Sequence, residues 1–139
     1  MFRTLSQPGK TQAISAGLIV IVGLIIITPL CGALFHCHCD WPWLRFYFAC
    51  NYFDAHAIHK CPWCASGLAG FVSITTTFIL AVLAPLILKP TALSMKAIAI
   101  KVIFGLTIFI LVATLSGALS AYTQQYPLGI GDFYTDKGT

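Results

Sequence analysis

Residues 13–35 read AISAGLIVIVGLIIITPLCGALF, 23 positions without a charged side chain. About 20 predominantly apolar residues are enough for a helix to cross the roughly 30 Å of hydrocarbon in a bilayer. The stretch is also too long for the apolar core of a secretory signal, which runs to about 7–15 residues. Thr28-Pro29-Leu30-Cys31 offers no small residue ahead of the cysteine for lipoprotein processing. It is therefore expected to remain as an anchor. Working outward, two further apolar blocks of at least the same length follow, Ala65–Leu88 and Ala97–Tyr122. The fold expected is an all-α integral membrane protein, a single membrane domain over 1–139. It has an inner N-terminal segment (1–12), three transmembrane helices (13–35, 65–88, 97–122), an inner loop (89–96) and an outer tail (123–139). Between the first two helices lies an interfacial cap (36–64) rich in Cys, His and aromatic residues.

Composition agrees with this reading. The chain is 58% apolar and 9% charged, against about 45–50% and about 25% for soluble domains. A soluble enzyme, a nucleic-acid-binding module and a disordered tail are excluded, and the lipid bilayer is the first partner. The net charge of +4 comes from eight scattered Lys and Arg residues, which form no phosphate-binding patch. Their distribution bears on orientation instead. Arg3, Lys10, Lys89, Lys96 and Lys101 fall on the side of the N-terminus, and Arg45, Lys60 and Lys137 on the other. Five against three places the N-terminus inside, with the cap and the C-terminus outside.

No span carries an ionisable group at mid-depth, and Lys101 is near enough to an end to snorkel to the headgroups. That argues against a pump, a proton relay or a voltage sensor. Ala113, Gly117 and Ala121 recur every four residues on one face of the third helix, and Ser66 with Gly70 does so in the second. Small residues at this spacing let helix backbones approach closely. Pro29 and Pro85 are expected to kink their helices. The tail carries Tyr126, Phe133 and Tyr134, aromatics that would gain most by docking on a partner.

The chemistry concentrates in the cap. All four histidines and five of the six cysteines lie between Phe35 and Cys64, with Cys31 just before them. Trp41, Trp43, Phe46, Tyr47, Phe48, Tyr52, Phe53 and Trp63 share the stretch, an aromatic load suited to the headgroup layer. Leu44–Ala49 reads as a short interfacial helix or re-entrant segment, and Asp54 as an N-cap for a helical run from Ala55 to Lys60.

Three readings of the cysteines compete. In the first, thiols exposed to an oxidising compartment form disulfide staples, up to three from an even count of six. They would stabilise a cap too short to build its own core. In the second they bind metal. Cys37 and Cys39 form a C-x-C pair, Cys61 and Cys64 a C-x-x-C knuckle, and the four thiolates suit zinc or an iron–sulfur centre. His36 and His38, together with His56 and His59, add imidazole nitrogens that would admit copper. In the third, Cys61-Pro62-Trp63-Cys64 at a helix N-terminus acts as a redox pair with a lowered thiol pKa. In this one respect the chain resembles quinone-linked disulfide-forming membrane proteins, which place a C-x-x-C near the membrane surface. It departs from them in having three helices rather than four and no cysteine after Cys64. A haem attachment motif is missing, because Ala65 stands where C-x-x-C-H needs its histidine.

The gathering of histidines around the thiols favours metal, since a staple gives imidazoles no reason to be there. The sequence thus points to a small, non-catalytic accessory subunit of a larger membrane complex, redox or metal-handling, with other membrane protein subunits covering its faces. A thiol-disulfide oxidoreductase using Cys61 and Cys64, or a copper or zinc delivery protein, are the rival functions.

Overall fold

A computed structural model of the protein describes residues 8–37, 50–88 and 94–126. Among these every regular element is helical: α1 (Pro8–Phe35), the single turn α2 (Pro62–Ala65), α3 (Gly67–Leu83), a 3-10 turn over Ala84–Leu86, and α4 (Met95–Thr123). Three stretches are long and apolar enough to cross a membrane, Gly9–Phe35, Gly67–Leu86 and Met95–Thr123.

Local chemistry sets their ends. Ser66 is extended (φ −111°, ψ 96°), and its hydroxyl accepts from the Ala69 amide at 3.3 Å, an N-cap that starts α3 at Gly67 rather than at Ala65. Ser94 does the same for α4 through Ala97 at 3.1 Å. Pro85 ends the α-helix instead of kinking it: α3 stops at Leu83 and the chain tightens into the 3-10 turn. Pro29, by contrast, lies inside α1, which continues to Phe35.

The inward faces follow a four-residue rhythm. On α1 they are Thr11, Ser15, Ile19 and Gly23, and on α4 Lys101, Gly105, Phe109, Ala113, Gly117 and Ala121. On α3 they are Gly70, Ser73, Thr77 and Ala81. A Cβ placed on Gly105 would meet Ile19 and the Ala81 carbonyl, one on Gly23 would meet Phe78 and Phe109, and one on Gly117 would meet Leu34, Phe35 and Trp63. These contacts align α1 and α4 in parallel along their length, with α3 running antiparallel to both. Glycines at the crossings bring backbone and side chains into the close contact that drives helix association where lipid supplies no hydrophobic force. Phe78 and Phe109 fill the middle, edge to face at 5.0 Å.

Lys101 is 2% exposed and lies on the inward stripe one turn before Gly105, its stem packed in the bundle. Ser66 caps α3, and Gly70 closely approaches the Trp63 carbonyl of α2.

Candidate metal centre

At one end of the bundle the chain between α1 and α3 folds back over the helix termini, and the cysteines meet there. The reversal begins at His36, which takes the left-handed conformation (φ 47°) directly after the last residue of α1. Histidine tolerates this region better than most residues, and a left-handed residue just past a helix end is a common way to turn the chain. The turn swings Cys37 back toward the helix. Its sulfur lies 3.5 Å from Cys31 Sγ and 3.5 Å from the Cys31 carbonyl, to which it donates.

Cys50 and Asn51 enter from the other side of the loop. The Asn51 amide donates to the Cys37 carbonyl at 3.0 Å. The Asn51 side chain accepts from the Cys61 amide at 2.9 Å and donates to the His59 carbonyl at 3.1 Å and to the Tyr126 hydroxyl at 2.9 Å. Tyr126 in turn donates to the Phe35 carbonyl at 2.7 Å. One amide side chain therefore ties α1, the loop, α2 and the end of α4 together.

Cys61 precedes Pro62, a residue suited to the first helical position because its missing N–H is not needed there. The Cys61 carbonyl receives the Cys64 and Ala65 amides at 3.0 and 2.8 Å, and this turn carries Cys61 and Cys64 on adjacent positions of one face. Cys61 Sγ reaches Cys31 Sγ at 3.6 Å, and Cys64 Sγ reaches Cys50 Sγ at 3.9 Å. Two groups of three result, Cys31, Cys37 and Cys61, and Cys50, Cys61 and Cys64, each with sulfurs mutually within 4.8 Å. They share Cys61.

The surroundings exclude water. Cys31, Cys37, Cys50 and Cys61 belong to one buried core with Leu34, Phe35, Trp63, Ala113, Ala121 and Tyr126, and Cys64 is half-buried against it. Phe35 stands between Trp63 and Tyr126, edge to face with both at 5.3 and 5.8 Å. Hydrogen bonding from Cys31 first, then from Cys37 and Cys64, pulls the Cys61 thiol down to about 4, against the opposing effects of Cys50 and burial. Cys61 is therefore poised as a thiolate, the form that binds metal.

The candidate ligands separate sharply. Cys37 and Cys64 each approach Cys61, but in different triads, whereas Cys39 and His38 lie outside the described residues, as does the segment Leu44–Ala49. His36, His56 and His59 are exposed and belong to neither sulfur group. His36 serves the chain reversal, and His59 lies edge to face with Tyr126 at 5.9 Å. Residues 50–60 form successive turns rather than a helix, so His56 and His59 are not on one helical face. Asp54 accepts from the His56 amide at 2.9 Å, closing a local turn. Lys60 stitches the loop by donating to the Tyr52 and Asp54 carbonyls at 3.0 and 2.7 Å. No two described cysteines are at bonding distance, so the staple is not found among them.

Cys31 and Cys50 join the sulfur groups although the sequence did not single them out as candidate ligands. Cys31 sits inside an apparent membrane span and Cys50 has no cysteine partner within a short motif. The only signal for either was the even count of six. The packing residues Ala113, Gly117 and Ala121 lie under this site, with Gly117 facing Leu34, Phe35 and Trp63. Tyr126 docks on the chain's own cap. Phe133 and Tyr134 lie outside the described residues.

No protein-family model, curated protein or solved structure matches this chain.

Proposed function

We propose that the protein is a small, non-catalytic membrane subunit that carries a soft metal centre in its cap, outside the membrane, and serves a larger redox or metal-handling assembly. The observation that carries this reading is the convergence of five cysteine sulfurs from the end of α1, the loop and α2 into one water-excluded core. Thiolates select soft metals such as Cu(I), zinc or iron–sulfur clusters. A site whose sulfurs lie close together before metal arrives needs little rearrangement to bind. The broad apolar faces that the three helices turn outward suit lipid and neighbouring subunits. The excess of Lys and Arg on the N-terminal side supports an inside N-terminus.

Burial favours this reading over thiol-disulfide exchange. An exchange enzyme needs a thiolate that a substrate disulfide can reach, and Cys61 is 0% exposed. It also favours a resident ion over one handed on to other proteins. Purification of the full chain from membranes under anaerobic conditions, with elemental analysis and a thiol count, tests the proposal. At least one equivalent of copper, zinc or iron per chain is expected. Metal-free protein with its cysteines paired as disulfides would overturn it.

A further inference from the structure

The end of the bundle opposite the cap carries buried positive charge and no acid. Lys101 sits on the inward stripe of α4, about 9 Å along the axis from Met95 at 1.5 Å per residue, and is 2% exposed. The contacts of Gly105 with Ile19 and of Gly23 with Phe109 set α1 and α4 in parallel register. One turn toward the N-termini, that register places Lys101 opposite Ser15, and a further turn places Ala97 opposite Thr11. Gly105 also meets the Ala81 carbonyl of the antiparallel α3, so the buried Pro85 of the 3-10 turn falls at the level of Lys101. Because helical side chains lean toward the N-terminus, the ammonium is carried toward Thr11. Thr11 and Ser15 are 1% and 2% exposed. The Ser15 hydroxyl donates to the Gln12 carbonyl at 3.0 Å, whereas the buried Thr11 Oγ1 has no hydrogen-bond partner.

No Asp or Glu occurs in 1–39 or in 55–131, so the helices and the segments flanking their N-terminal side supply no carboxylate to Lys101. Lys10 and Lys96 are exposed in the first turns of α1 and α4. These two parallel helices also turn their positive ends to the same side of the bundle. An ammonium and a hydroxyl withdrawn from water without partners are costly, and an ionisable group inside a membrane bundle points to a function. We infer that this end binds a phosphate group between α1 and α4, with the Lys101 ammonium and the Thr11 hydroxyl as its donors. Phosphate is the anion that suits the depth: the site lies near the start of both spans, at headgroup level, and basic pockets between transmembrane helices take anionic headgroups. Its several oxygens can accept from the ammonium, the hydroxyl and helix N-terminal amides together. The inference rests on the three helices spanning a membrane and is independent of the metal centre at the other end of the bundle.

The test is native mass spectrometry and thermal melting of the full chain in detergent, titrated in separate arms with phosphatidylglycerol, with diacylglycerol of the same acyl chains, and with inorganic phosphate. Saturable binding of one phosphate-bearing molecule is expected, and none of diacylglycerol. Tighter binding of phosphatidylglycerol than of inorganic phosphate assigns the site to a lipid headgroup, and the reverse order assigns it to free phosphate. Lys101→Met keeps the stem and removes the charge, and Thr11→Val keeps the shape and removes the hydroxyl. Each should weaken binding about tenfold or more, the loss expected with a charge-assisted hydrogen bond. Lys10→Gln, at an exposed cation of the same end, should change it by less than about threefold. Because Lys101→Met can fail to fold, Thr11→Val decides the matter without it. Wild-type affinity in Thr11→Val, or a loss in Lys10→Gln as large as that in Lys101→Met, reduces the binding to general attraction by a positive surface and overturns the site. Equal binding of diacylglycerol, or no saturable binding in any arm, overturns it as well. Metal content is measured in the same preparations, so that failure of this site and failure of the metal-centre reading are told apart.

Discussion

His36 and Cys37 are neighbours in the chain and opposites in environment. Cys37 is fully buried among sulfurs and aromatic rings, while His36 is exposed and holds a left-handed backbone turn. The same division runs through the described cap and the helix end beside it: Cys31, Cys37, Cys50 and Cys61 are buried and Cys64 half-buried, whereas His36, His56 and His59 face out. The physical cause is ordinary. A thiol behaves as a small apolar group that needs little hydrogen bonding to be buried. An imidazole carries two polar nitrogens that both require partners. Sequence proximity of two metal-ligating residue types is thus no guarantee that they serve one site.

The largest expected effect separates the two halves directly. Cys31→Ser should lower metal affinity by on the order of 100-fold or more, since even outer-shell partners of ligands are worth about 10–100-fold. A His56→Ala and His59→Ala double variant should leave affinity unchanged, by competitive chelation on the purified chain. The reverse pattern would move the site to the imidazoles.

Next in size is Asn51→Ala. It removes two donated bonds and the bond accepted from the Cys61 amide, which join the sulfur half to the loop and to α4, together with the longer one accepted from the Cys50 thiol at 3.8 Å. At about 1 kcal/mol for each bond, roughly 3 kcal/mol of cap stability is lost, read as faster alkylation of the buried cysteines in metal-free protein. Unchanged alkylation would show that the aromatic core alone seals the thiols. Tyr126→Phe keeps the ring beside Phe35 but strands the Phe35 carbonyl, and should cost about 1–3 kcal/mol by the same measurement.

The smallest change concerns His36. If its role is to accept a left-handed backbone, His36→Gly should keep metal binding and hold or raise thermal stability by up to about 1 kcal/mol. His36→Val should lower stability by about 1–2 kcal/mol. Loss of metal in His36→Gly would return this histidine to the ligand set.

The three apolar helices were legible because membrane spanning depends on length and composition, which need no tertiary information. Their ends were less so, because a cap such as Ser66 competes with apolar neighbours that extend the pattern past it. The C-x-x-C pair was legible because both sulfurs are carried by one local turn. Cys31 and Cys50 were not, because their approach to Cys61 depends on the reversal at His36 and on Asn51, neither of which has a sequence signature. The exposure of His36, His56 and His59 was not legible for the complementary reason. Counting residue types along a segment records neither the direction of a side chain nor its need for hydrogen-bond partners.

The hydrogen bond from Tyr126 to Phe35, with that from Gln124 to the Pro62 carbonyl at 3.0 Å, has a bearing on biosynthesis. Both groups that close the cap from the α4 side are translated after the last cysteine, and 62 residues separate Pro62 from Gln124. At about 5–20 residues per second, the ribosome takes roughly 3–12 s to cover that interval. During those seconds the nascent cysteines have left the ribosome in order but lack the wall that α4 supplies. Any metal donor would meet an open nest of thiols then, and a shut one afterwards.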